Sequence, residues 1–235
     1  MGKATREAYG NALARIGKEN TKIIVLDADL SKSTKTDTFK GACPERFFNV
    51  GIAEQNLISV GAGLAAAGKI PFVSSFSMFA TGRAFEQIRN AVCYPKLNVK
   101  VCATHAGITV GEDGATHQSL EDISCMRTLP NMTVVVPADE RETEAVIEWA
   151  ASYNGPVYVR LGRAGVDDVT TEGYSFVPGK STILVDGSDA TIIACGALVG
   201  PAVEASKTLS ESNISARVIN MASIKPIDAE AIIKA

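Results

Sequence analysis

Short apolar runs of strand length, mostly rich in β-branched residues, alternate along this chain with longer segments whose apolar positions recur at helical spacing. Runs at 23–27, 71–76, 99–104, 133–136, 157–161, 191–195 and 216–220 read as strands, and segments 5–17, 54–67, 82–92, 120–129, 140–152 and 200–209 read as helices. Regular exchange of one period for the other is the mark of a parallel sheet wrapped by helices. The expected fold is therefore α/β, a doubly wound parallel sheet. From residue 162 to 187 the periods are lost and Gly, Asp, Thr and a Pro-Gly pair take over, the composition of a linker. The expected division is a first domain over 1–162, a linker over 163–187 and a second α/β unit over 188–235. That second unit offers only strand, helix and strand before an apolar helix start at 229–235, too little to close a sheet, so it reads as an incomplete domain.

Segment 54–67 is rich in Gly, Ala and Ser, which lowers helicity at the glycines but lets backbones approach closely. Burial against another subunit is expected for it.

Composition narrows the function classes. With 235 residues, 46% hydrophobic content and a net charge of -3, the chain has a globular profile and no basic footprint for nucleic acid. No apolar stretch is long enough to span a bilayer, and the first residues lack the apolar core of a signal peptide, which points to the cytoplasm. Five scattered cysteines form no C-x-x-C pair, and Cys93, Cys102 and Cys195 lie in apolar runs, so buried free thiols are expected rather than disulfides or a metal site.

Three stretches carry candidate chemistry. In FFNVGIAEQNL (47–57) a short strand runs into Gly51, and Glu54 follows in the first turn of the small-residue helix. A first-turn acid usually fronts solvent and favours the helix dipole, but Ile52, Ala53, Leu57 and Ile58 leave it little polar surface. A shielded, protonatable acid suits a hydrogen bond to a heterocyclic nitrogen. In PFVSSFSMFATGRAFEQIR (71–89) a strand ends in Phe76 and Phe79 and turns into a helix. These rings could be ordinary core, or a flat ledge at the carboxyl end of a parallel strand, where such folds bind ligands. THAGITVGEDGATHQ (104–118) holds both histidines of the chain, His105 and His117, with Asp113 on a Gly-rich loop after a strand. Loops there carry chemistry, while no spacing of a zinc or HExxH type occurs, so no metal is assigned to this chain.

Gly51-Ile52-Ala53-Glu54-Gln55 is similar to the motif of thiamine-diphosphate enzymes of the transketolase group, and 104–118 resembles the loop of transketolase itself nearly letter for letter. The resemblance covers essentially the whole chain and implies the pyrimidine-binding subunit of a split transketolase. It implies that Glu54 bonds the pyrimidine nitrogen of thiamine diphosphate, with Phe76 stacking on that ring, Phe79 lining the pocket and Asp29 near the cofactor at a subunit contact. It makes His105 and His117 proton-transfer and substrate-oxygen groups and Asp113 a sugar-hydroxyl contact, and it matches Arg6, Ser33 and Arg163 to phosphate-end contacts. The family's Gly-Asp-Gly motif with Asn-type Mg²⁺ ligands has no counterpart in this sequence. The cofactor's diphosphate and Mg²⁺ are thus expected on an N-terminal transketolase partner subunit, with self-association through this domain. Two departures stand out. Gly82 is an extra residue before Arg83, which leaves the alignment of that arginine to a family phosphate contact open against a surface salt bridge. Asn56 stands where some relatives carry His, which tells against a 1-deoxyxylulose-5-phosphate synthase, the nearest alternative. The rival from another class is a non-catalytic subunit of the same fold.

Overall fold

A computed structural model describes residues 2–235. In chain order the elements of the first unit are α1 (Thr5–Glu19), β1 (Ile23–Asp27), α2 (Ser31–Thr34), α3 (Thr36–Ala42), β2 (Phe47–Asn49), α4 (Glu54–Ala66) and β3 (Ile70–Ser74). A π-helical turn (Phe79–Arg83), the short α5 (Phe85–Gln87) and a second π-turn (Ile88–Cys93) then lead to β4 (Lys100–Ala103), α6 (Asp122–Thr128), β5 (Thr133–Val135), α7 (Glu140–Ser152) and β6 (Val157–Arg160). The remainder holds β7 (Thr182–Val185), β8 (Ala190–Ala194), α8 (Val199–Glu211), β9 (Ala216–Asn220), β10 (Ser223–Lys225) and α9 (Ala229–Ile233).

The large sheet has the order β10-β5-β6-β4-β3-β1-β2, parallel throughout except for β10, which runs antiparallel to β5. Every residue of β1 is buried, as both faces of a parallel sheet must be when helices cover them. One face packs Ile24, Leu26, Val73 and Val101 against α4, α6 and the π-turns; the other packs Val25, Phe72 and Val159 against α1, α3 and α7. The fold is thus the expected mostly parallel α/β sheet with helices on both sides.

Helix α7 starts where its sequence says it should. Asp139 accepts from the Glu142 N–H at 2.9 Å, and Glu142 reaches back to the Ala138 N–H at 2.7 Å, a capping box displaced by one residue. The segment expected to be helix over 82–92 differs: one extra residue is absorbed in the π-turn, so Ala84, Ile88 and Val92 still reach the core.

The stretch expected to be linker contains β7, which pairs antiparallel with β9. Its alternation is blurred because β7 is only half buried, lying at the edge of a small three-stranded sheet ordered β7-β9-β8. Strand β10 follows β9 in the chain yet completes the large sheet, so the two units are stitched together by backbone: the Val136 N–H donates to the Ala222 carbonyl at 2.8 Å.

Candidate active site

The polar groups that matter gather outside the carboxyl ends of β1, β3, β4 and β6. Beyond β1, Asp29 holds a positive φ of 66° and is exposed. Asn49, at the end of β2, ties this corner together: its Oδ1 accepts from the Asp29 N–H at 3.1 Å and the Gly51 N–H at 2.9 Å, and its amide donates to Asp29 Oδ1 at 2.8 Å. Gly51 takes φ +76°, a turn that a side chain would resist, and delivers Glu54 as the first residue of α4. Glu54 is 1% exposed. The solvated fate of a first-turn acid is excluded, and its two oxygens are treated unequally. Oε2 accepts from the Arg83 guanidinium at 2.7 Å, whereas the Ser75 hydroxyl lies 3.4 Å from Oε1, at the limit of a hydrogen bond.

Ser75 leads directly into Phe76, which is buried and bridges in parallel to Thr104 at the end of β4. Register between these two strands brings the next residue, His105, over the ring: their centroids are 3.9 Å apart with an interplanar angle of 25°. His117, on a short 3-10 turn (Ala115–His117), closes the cluster edge-on, 5.0 Å from Phe79 and 6.1 Å from Phe76. Phe76, Phe79, His105 and His117 are therefore one aromatic group assembled from two separate stretches of sequence.

His105 is buried and holds φ +59°, a backbone state rare for a residue with a side chain. Burial, followed by repulsion from Arg6 and Arg163, pushes its pKa down to about 4. The imidazole is neutral at pH 7, with Nδ1 2.9 Å from Thr104 Oγ1. A neutral ring can both donate and accept a proton at the site; an imidazolium can only donate.

Arg6 and Arg163 approach the same imidazole from α1 and from the segment after β6. Arg6 donates to the Ser33 carbonyl at 2.8 Å, and its buried Nε has no hydrogen-bond partner. Arg163 reaches the Gly-rich loop, 3.3 Å from Glu112. Gly111 in that loop lies against the guanidinium and holds φ +97°, a backbone state that favours glycine. Asp113 is exposed on that loop, its charge acting on His105.

Two features were not anticipated from sequence. One is the Arg83–Glu54 pair. The other is a buried chain beneath the aromatic cluster: Ser77 Oγ meets Tyr158 Oη at 2.9 Å, and Tyr158 and Arg160 both donate to Asp122 Oδ2 at 2.7 Å. An Asp and an Arg separated by 38 residues give no local signal of pairing; only the β6 position of Arg160 could have hinted at it. Among the described residues, no group of three or more His, Cys, Asp or Glu is arranged to hold a metal.

Fold and cluster define the class first: a mostly parallel α/β protein whose shielded acid, aromatic ledge and paired arginines meet at the carboxyl ends of the strands. Two family descriptions match the chain: transketolase, pyrimidine binding domain, over residues 1–167, and transketolase, C-terminal domain, over residues 179–235. The putative transketolase C-terminal section of Methanocaldococcus jannaschii is 56% identical over 234 residues, covering 99% of this chain and 74% of that protein. A solved split gene transketolase, described as an inactive beta4 tetramer, superposes with a TM-score of 0.92 at 58% identity, over 100% of this chain and 76% of the other. The 1-deoxy-D-xylulose-5-phosphate synthase 1 of Geobacter sulfurreducens is 41% identical over 229 residues, 97% of this chain but 36% of that enzyme. The chain belongs to the transketolase family and carries its pyrimidine-binding and C-terminal domains.

Proposed function

We propose that this chain supplies the pyrimidine half of a thiamine-diphosphate site and, with a partner chain, transfers a two-carbon ketol unit from a ketose phosphate to an aldose phosphate, as in the pentose phosphate pathway. When bound, thiamine diphosphate supplies the nucleophilic carbon and the electron sink that the sugar carbons lack. The chain's own residues bind, orient and move protons. Glu54 fits the pyrimidine end: its Oε1 is shielded from water and only weakly held by Ser75, so it can engage a ring nitrogen and set which tautomer prevails. Phe76 and Phe79 offer flat surface for that ring. Neutral His105, with His117 beside it, relays protons to and from the sugar's oxygens. Asp113 takes a sugar hydroxyl, while Arg6, Arg163 and Ser33 line the phosphate end, where a guanidinium with an unpartnered Nε suits an anion. We assign the diphosphate and Mg²⁺ to an N-terminal subunit carrying the Gly-Asp-Gly and Asn ligands, and Asp29 to the seam between chains. Assembly with that subunit and self-association of this domain complete the site, and phosphorylated sugars as substrates put the work in the cytoplasm.

The observation that carries this reading is Glu54, a carboxylate buried at a helix start beside an aromatic and imidazole cluster. The test is a reconstituted pair of subunits supplied either with xylulose 5-phosphate and ribose 5-phosphate or with pyruvate and glyceraldehyde 3-phosphate. Turnover is expected with the sugars alone, and Glu54→Gln should lower kcat by roughly 10²–10⁴. Preference for pyruvate would point to the synthase reaction; full activity of Glu54→Gln would leave only a non-catalytic role.

A further inference from the structure

We propose that Arg83 is the positioning residue of Glu54: it locks Oε2 and so leaves Oε1 aimed into the site. This rests on the reading above, in which Glu54 engages the cofactor's pyrimidine. A one-residue insertion in an α-helix turns everything beyond it by about 100° around the axis. A π-turn holds such an extra residue, and beyond the turn Phe79–Arg83 both Ala84 and Ile88 are fully buried. Arg83 is the last residue of that turn. Its guanidinium lies 4.8 Å from the centre of the Phe79 ring and donates to Glu54 Oε2 at 2.7 Å.

Three physical points make this a positioning contact rather than a surface salt bridge. First, the partners are unequal: Glu54 is 1% exposed and Arg83 49%, so the pair anchors a buried acid from the rim of the site. Second, the cation is held on two sides, by an aromatic face and by the carboxylate, which fixes a long side chain that would otherwise be free. Third, a buried carboxylate with no strong partner is costly, and a donor on Oε2 alone removes that cost while keeping Oε1 available. Serine at 75 is too distant, at 3.4 Å, to do the same.

The experiment uses the reconstituted pair with thiamine diphosphate and Mg²⁺. Exchange of the bound cofactor's thiazolium C2 proton for deuterium, followed by NMR, reads the work of Glu54 without any sugar. Equilibrium dialysis gives the cofactor's Kd. Arg83→Gln is expected to slow exchange roughly 10- to 100-fold while Kd changes less than about threefold, with Arg83→Lys recovering part of the loss. In a Glu54→Gln background Arg83→Gln should have no further effect, because the two act as a unit. The Arg83 guanidinium N–H signals should be protected in the chain alone, lost in Glu54→Gln, and retained when the cofactor binds. Unchanged exchange in Arg83→Gln, an equal loss in the Glu54→Gln background, or release of Arg83 on cofactor binding would each overturn the proposal. A wild-type pair that neither binds the cofactor nor exchanges its proton would instead defeat the pyrimidine reading, and this inference with it.

Discussion

His105 joins a rare backbone state to a neutral ring, and both follow from where it sits. Its φ of 59° carries the chain away from β4 just where the imidazole must turn back over Phe76. The same burial that flattens the ring on Phe76 depresses its pKa to about 4, with Arg6 and Arg163 adding to the effect. An unfolded histidine titrates near ~6.5. Between that value and about 4 the unfolded chain binds the extra proton, so stability is present above pH ~6.5 and lost as the pH falls toward 4. His105→Gln should remove this dependence. Urea titrations at pH 7 and pH 4.5 are expected to show wild type losing on the order of 2 kcal/mol more than the variant.

Among the elements, α7 is held at its start and just past its end by buried charged side chains. At its start Asp139 accepts from the Glu142, Val169 and Thr170 N–H groups and from the Thr170 hydroxyl, so one carboxylate caps the helix and straps down the segment after β6. Glu142, next to it, accepts from Tyr174 and from Asn220 of β9, which joins the first unit to the second. Asp139→Ala would lose a cap and leave buried N–H groups unpaired, a cost of roughly 3–5 kcal/mol in chemical denaturation. Past the other end, the buried amine of Lys100 donates to the carbonyls of Tyr153 and Gly155, both at 2.7 Å. Burial lowers its pKa to about 7, against 10.5 ordinarily. The unfolded chain therefore holds one more proton between these values, and stability should rise as the pH climbs from 7 to 10. Lys100→Met is expected to flatten that rise, as read from melting midpoints across the range.

For the whole molecule, the open question is which surfaces are finished only in an assembly. Ile52, two residues before Glu54, is 78% exposed, and Ile108 on the loop after His105 is 68% exposed. Exposed apolar side chains beside a buried acid fit a contact with another chain. Ile52→Lys is expected to leave thermal stability within about 0.5 kcal/mol of wild type and yet block assembly in sedimentation velocity, together with ketol transfer by the reconstituted pair.

The α/β class, the strands at 23–27 and 216–220 and the α7 helix were legible in the sequence, because hydrophobic period is local; the stretches at 47–57, 71–89 and 104–118 stood out by residue type, and the structure brings Glu54, Phe76, Phe79, His105 and His117 from them to one end of the large sheet. What the sequence could not carry was set by contacts between distant residues. β7 was read as linker because an edge strand of a small sheet is too exposed to alternate cleanly. β10 was missed because three residues of strand gain their meaning only from pairing with β5. The π-turn is not legible because apolar positions at helical spacing do not show which turn of a helix takes up an extra residue. Glu54 could be named from its neighbours in sequence, but which of its oxygens is locked and which is free was decided by an arginine 29 positions away. The sequence by itself determined the fold class and which residues were candidates, since hydrophobic period and local motifs are written in it; the tertiary structure decided direction, since burial and hydrogen bonds exist only once the chain has folded.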